Sequence, residues 1–208
     1  MLPALTAAGF DIVHRFDAAA VSRALSPASD VAIVEPARPV GVLVGNTRAL
    51  WPIFLAARRA DPALLASPVP IQRYTEQTID AIAAAHGGRA LYSHRTYDGA
   101  FAPFQRIAVA AGLGSLAPTG LLIHPTFGPW FALRAIILVA GEPPVNQPAR
   151  PACECGAPCT EALARALASR NDWRAWLAVR DACPVGRAYR YDDDQLRYHY
   201  TKDRSLLR

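Results

Sequence analysis

The chain has 208 residues, of which 52% are hydrophobic, enough to bury a substantial core within one domain. Its formal charge of +5 comes from 22 Lys and Arg against 17 Asp and Glu, and the positive charge is mostly Arg scattered along the chain with no basic run of five or more. That spread disfavours a nucleic-acid stripe and suits separate points for holding carboxylates or phosphates. No apolar run reaches the roughly 18 residues that a membrane span needs. Met1-Leu2-Pro3-Ala4 lacks the basic segment of an export signal, so the sequence predicts a cytoplasmic protein with neither a membrane nor a nucleic-acid partner.

In chain order, Val31-Ala32-Ile33-Val34 and Gly41-Val42-Leu43-Val44-Gly45 are short β-branched runs bounded by prolines, which predicts two neighbouring strands, plausibly a hairpin. Leu50, Ile53, Phe54 and Ala57 have helical spacing over residues 48–59, stopped near Asp61-Pro62. A second amphipathic helix is expected over residues 73–86, with Gly87-Gly88 ending it, and then a strand over residues 90–94. Pro103 can start a short helix that Gly112 ends, with Gln105 near its first turn as a polar contact for a ligand or as plain helix surface. Residues 114–118 read as a turn, and residues 121–124 and 130–139 as buried strands. The four prolines over residues 142–151 exclude a continuing sheet. Helices are expected over residues 160–169, 172–182 and about 192–200. Strands and helices intermix without a strict alternation, which predicts an α+β layered sheet in a single domain, residues 1–208, with a Cys-containing helical segment over residues 152–208.

The most informative stretch is Leu122-Ile123-His124-Pro125-Thr126-Phe127-Gly128-Pro129-Trp130-Phe131. A strand that ends in His-Pro and a glycine turn lets backbone approach a large flat ligand, and Phe127, Trp130 and Phe131 offer apolar faces to it. The same spacing fits a core histidine among ordinary core aromatics. This stretch resembles a signature shared by the cobalamin-processing CblC (MMACHC-like) family and corrinoid-dependent epoxyqueuosine reductases. The likeness to CblC continues through Asp172-Trp173-Arg174-Ala175-Trp176, Val179-Arg180-Asp181-Ala182 and residues 191–207. It implies a modified flavin-nitroreductase-like α+β fold. It also implies a corrinoid site at Gln105, Leu122, Ile123, His124, Pro125, Phe127, Gly128, Trp130 and Phe131, cobalamin as the ligand, and reductive decyanation or thiol-dependent dealkylation as the activity. A homodimer is left open.

The resemblance further implies that Arg134, Arg180 and Arg204 hold the carboxylates of glutathione beside the corrinoid. Guanidinium forks suit that task, and concentrated positive charge lowers the pKa of a nearby thiol. Taken singly, each Arg also reads as a surface residue. For decyanation the electrons would come from reduced flavin or from a thiol. Cys153, Cys155, Cys159 and Cys183 depart from the animal CblC pattern and resemble the cysteine motifs of ferredoxin-like proteins. Four thiolates would suit one [4Fe–4S] cluster or a zinc ion, although the Cys-x-Cys-x3-Cys spacing is unusual for either. Reduced thiols are the third reading, one of which would serve as an internal reductant. The alternative function is therefore an iron–sulfur ferredoxin-like or epoxyqueuosine-reductase-like redox protein.

Overall fold

A computed structural model describes residues 1–25, 33–97, 99–146, 153, 155 and 158–208. The elements run α1 (Leu2–Ala7), β1 (Ile12–Asp17), α2 (Ala18–Leu25), β2 (Val40–Asn46), α3 (Leu50–Ala60), α4 (Pro62–Ala66), α5 (Pro70–Ala84) and β3 (Arg89–Tyr92). Then follow β4 (Thr96–Tyr97), β5 (Ala100–Phe101), α6 (Phe104–Ala110), β6 (Ser115–Leu116), β7 (Leu122–Ile123) and β8 (Ala132–Val139). Three helices close the chain: α7 (Cys159–Ala168), α8 (Trp173–Asp181) and α9 (Asp193–Thr201). Local chemistry sets several starts. Asp61 accepts a hydrogen bond from the Ala63 amide at 2.8 Å, with Pro62 beginning α4, and Asp172 caps α8 through the Arg174 amide.

The main sheet has the order β1-β2-β8-β3, and each of its pairs is antiparallel. Its two faces are read directly from strand alternation. Val40, Val42 and Val44 of β2 and Ala135, Ile137 and Val139 of β8 join one core with Leu5, Trp51, Phe54, Ile79 and Tyr198. Leu43, Ile136 and Leu138 join the other, with Phe16, Val21, Phe104, Ile107 and Phe131. Helices α1, α3, α5 and α9 therefore cover one face, and α2 and α6 the other, which makes a layered α+β domain. With both faces covered, β2 is buried at all seven positions, which explains its nearly continuous apolar sequence.

The expected hairpin between residues 31–34 and 41–45 is corrected. Val31 and Ala32 lie outside the described residues, and β2 pairs with β1 on one side and β8 on the other. A central strand needs two partners, and β1 was hidden in the sequence because this edge strand interrupts its apolar residues with His14, Arg15 and Asp17. Residues 114–118, read as a turn, include β6, which pairs with β7.

Two glycine turns lock the C-terminal segment onto the centre of the fold. Gly128 and Gly186 both have positive φ, 56° and 72°. A Cβ on Gly128 would lie 2.0 Å from the Val185 carbonyl oxygen, and one on Gly186 would lie 2.2 Å from the Phe127 carbonyl carbon. Each turn leaves no room for a side chain on the other. Gly120 has a similar φ of 77° but nothing within 4 Å of its would-be Cβ. Gly120→Ala should therefore cost only the left-handed conformation, about 1–2 kcal/mol, while Gly128→Ala should cost clearly more. Urea denaturation checks this, and equal losses in the two variants would mean that the interlock contributes nothing.

Candidate functional site

The pairing of β2 with β8 slips between Val44 and Gly45: Val44 faces Ala135 while Gly45 faces Leu133. Arg134 is the extra residue of that β-bulge. A bulge re-aims a side chain by breaking the two-residue alternation. Unbulged, Arg134 would share the face of Ile136. Instead Leu133 packs on that core, and Arg134 reaches a cavity on the opposite face, lined in part by Trp51 and Tyr198. Its Nε donates to Asn46 Oδ1 at 2.6 Å, and the Asn46 amide in turn donates to the Thr47 carbonyl at 2.7 Å. Asn46 is fully buried at the end of β2, so the bulge and its anchor come from adjacent strands.

That cavity has a volume of about 270 Å³, and its walls combine Leu50, Trp51, Val69 and Ile71 with Arg134, Tyr191, Gln195, Tyr198, His199, Lys202 and Arg204. Helix α9 supplies most of the polar wall and ends in Lys202, the one non-glycine with positive φ among the described residues. Arg180, at the end of α8, adds its charge from behind, where it acts on Tyr191, His199 and Tyr200. Among the described residues, none of Arg134, Arg180, Lys202 and Arg204 pairs with a carboxylate. Burial holds the Arg134 and Lys202 groups below their ordinary pKa. Arg180 Nη1, Tyr191 Oη and Gln195 Oε1 are buried without a hydrogen-bond partner. A cation cluster with unsatisfied polar atoms and no paired carboxylate among the described residues suits an anionic ligand rich in hydrogen-bonding groups.

A second, shallower cleft of about 230 Å³ is lined by Ser93, Phe104, Gln105, Leu121, Leu122, Pro129, Phe131, Leu133 and Arg180. Of the residues expected to bind the corrinoid, it brings together Gln105, Leu122 and Phe131. The others stand around it differently. Ile123 points behind the strand, into a cluster with Ala117 and Cys183. Trp130 is 1% exposed, packs on Tyr191 and Leu196, and lines neither cavity. Pro125 is exposed, and Phe127 stacks against His124 at 4.6 Å between ring centres. His124 ties its own loop: its Nδ1 accepts from the Thr126 and Phe127 amides at 3.0 and 3.3 Å, and its backbone bridges Gly128 in both directions at 2.9 Å. Of the three arginines, Arg134 and Arg204 share the cation cavity while Arg180 lines the apolar cleft. Lys202, Tyr191 and His199 were not singled out as site residues by the sequence; the density of Tyr and His over residues 189–200 is a signal that could have marked Tyr191 and His199.

The four cysteines are free. Cys153 and Cys155 place their Sγ atoms 3.8 Å apart, while Cys159 and Cys183 are buried. Among the described residues, no group of three or more His, Cys, Asp or Glu is placed to hold a metal ion.

Two histidines in the site are held neutral. Burial and, secondarily, His14 push His124 down to about 4; burial and the charges of Arg180, Lys202 and Arg134 push His199 down to about 3. Unfolding returns both to about 6.5, so below that pH the unfolded chain binds more protons than the folded one. Stability is therefore fully present above about pH 6.5 and is lost as the pH falls toward the two folded values. The urea midpoint should drop between pH 7 and pH 4, and His199→Gln should flatten that dependence; an unaltered slope would remove His199 from the cation cluster's field.

No protein-family model matches the chain. Two curated proteins named cyanocobalamin reductase / alkylcobalamin dealkylase are similar to it. That of Homo sapiens is 31% identical over 118 residues, which is 57% of this chain and 38% of that protein. That of Bos taurus is 30% identical with the same coverage. The match thus spans less than two-fifths of the length of these relatives. Among solved structures, the C. elegans B12-trafficking protein CblC, a homologue of human MMACHC, superposes with a TM-score of 0.72 at 16% identity, covering 98% of this chain and 90% of that one. The chain thus has the fold of that CblC structure along nearly its whole length and sequence likeness to the two cobalamin reductase/dealkylases over more than half of it.

Proposed function

We propose that this chain binds cobalamin and removes its upper cobalt ligand, with a carboxylate-bearing thiol such as glutathione as co-substrate. The observation that carries this reading is the pairing of an apolar cleft with a cation cavity whose cations pair with no carboxylate among the described residues, with Arg180 common to both surroundings. The cleft at Gln105, Leu122 and Phe131 is smaller than the about 300–1,000 Å³ that encloses a drug-sized ligand. A macrocycle would therefore lie across its mouth, one face on Leu122 and Phe131. The activity itself follows the names of the human and bovine relatives.

In this reading Arg134 and Arg204, joined by Lys202, take the carboxylates of the thiol, and their field favours the thiolate over the thiol. The thiolate attacks the carbon bonded to cobalt; a carbon–sulfur bond forms, the carbon–cobalt bond breaks, and its electron pair leaves with the metal as cob(I)alamin. Orientation supplies the acceleration, because the two reactants are held side by side. For a cyanide ligand the corresponding route is reductive, with electrons from a thiol or reduced flavin. Helices on both faces of an antiparallel sheet support the finer reading of the fold as a modified flavin-nitroreductase type. The two cores share β2 and β8, which supports reading residues 1–208 as one domain. No helix among the described residues is long and apolar enough to cross a membrane, which is compatible with a cytoplasmic setting.

Methylcobalamin and glutathione mixed anaerobically with the protein should give a corrinoid spectrum that changes with time, and glutathione thioether should accumulate in step. Arg134→Ala and Arg204→Ala should each raise the KM for glutathione by about 10- to 100-fold, the worth of one charged hydrogen-bonded contact. Cobalamin affinity should stay within a few-fold. Unchanged KM values with cobalamin still bound would overturn the assignment of the cation cavity.

A further inference from the structure

Behind β7, on the side away from the cleft, lies a small apolar cluster of Ala117, Ile123 and Cys183, with Cys153 and Val185 packed against it. Leu122 faces the cleft while Ile123, its neighbour in the same strand, faces the thiols. Cys153 and Cys155 are each partly exposed, with their sulfurs in contact at 3.8 Å, whereas Cys159 at the start of α7 and Cys183 just past α8 are 5% and 8% exposed. The four belong to one neighbourhood: Cys153 senses Cys155 and Cys159, and Cys183 senses Cys155, Cys159 and the cation of Arg187. The Val185 carbonyl that follows Cys183 is the same atom that presses on Gly128.

We infer that Cys153 and Cys155 form a thiol–disulfide redox pair that exchanges with low-molecular-weight disulfides, and that its oxidation state is set beside the loop carrying His124 and Gly128. The geometry favours this pair because its sulfurs lie 3.8 Å apart and both residues remain partly exposed. Cys159 and Cys183 are shielded from a bulky disulfide. The choice of glutathione disulfide as the substrate rests on the proposed thiol site; the pairing of the two cysteines does not. In the exchange, one cysteine thiolate attacks a sulfur of the disulfide, forming a mixed disulfide and expelling one glutathione thiolate. The second cysteine thiolate then attacks the protein-bound sulfur, forming the Cys153–Cys155 bond and expelling the other. The protein loses two electrons and two protons, and glutathione disulfide gains them as two molecules of glutathione. Two glutathiones reverse the reaction, so the pair follows the redox state of the surrounding thiol pool.

The test uses the full chain, reduced, desalted and titrated anaerobically with mixtures of glutathione and its disulfide, then alkylated and mapped by mass spectrometry. The expected result is a 153–155 cross-link with two hydrogens lost, with Cys159 and Cys183 alkylated only after denaturation. Cys155→Ser should trap a single glutathione adduct on Cys153. Four free thiols across the titration, a cross-link through Cys159 or Cys183, or iron or zinc bound stoichiometrically by the thiols of the purified protein would each overturn the inference. Cobalamin binding measured on the same samples separates the two readings. Binding without the cross-link removes this inference alone, and the cross-link without binding removes the proposed function alone.

Discussion

The site depends on one irregularity in the sheet. At the β2–β8 bulge the strand alternation breaks, and Arg134 is turned from the face of Ile136 to the face of Trp51 and Tyr198. Placing a guanidinium there is costly unless its donors are met, because a buried cation without partners loses its hydration. Asn46, fully buried at the end of the neighbouring strand, meets one of them, and as a neutral acceptor it leaves the charge uncancelled. A carboxylate at position 46 would neutralise the site before any ligand arrived. An amide fixes the direction of the guanidinium and keeps its field for a ligand.

From that point the remaining features follow as consequences of positive charge. His199 is held neutral first by burial and then because protonating it would add another cation beside Arg180, Lys202 and Arg134. The backbone of Lys202 takes a left-handed conformation that a non-glycine residue adopts only at a cost of about 1–2 kcal/mol, and its ammonium group donates to the His199 carbonyl. Strain of this kind persists where surrounding structure fixes it. Here α9 ends at that residue and the chain turns immediately into the 3₁₀ turn Arg204–Leu206, which brings Arg204 onto the same cavity.

Much of the scaffold was legible in the sequence, and the parts that were not have physical reasons. The apolar runs of β2 and β8 and the helical spacing of α3, α5 and α8 follow from burial, so periodicity found them. Strand β1 was missed because His14, Arg15 and Asp17 interrupt the apolar pattern of this edge strand, and the hairpin proposed in its place was a local guess about a strand whose partners are distant in sequence. Within the site, the signature around His124 marked the right loop but not which side chains face outward. Leu122 and Phe131 line the cleft; Trp130 instead supports Tyr191 from beneath, with Arg180 and Arg190 guanidinium groups 6.0 and 5.8 Å from its ring. No spacing rule could predict that, since a bulge at Arg134 and a chain reversal at Pro129 decide it.

The interlock of Gly128 with Val185 holds the cleft and the cation cavity in a fixed relation, although their residues come from distant parts of the chain. Arg180 is carried on α8, a helix that packs chiefly on α7 and makes little contact with the main sheet. Left to that packing alone, its position relative to β8 would vary. The turn that follows α8 is pinned, backbone against backbone, to the loop that precedes β8. Backbone contacts of that closeness transmit displacement, because a protein interior has no slack to absorb it. A guanidinium on the cleft wall, an arginine on the bulge and a polar helix over the cavity are thereby held in one frame. In the proposed reaction, that frame would bring a thiolate bound on one side to a carbon held on the other.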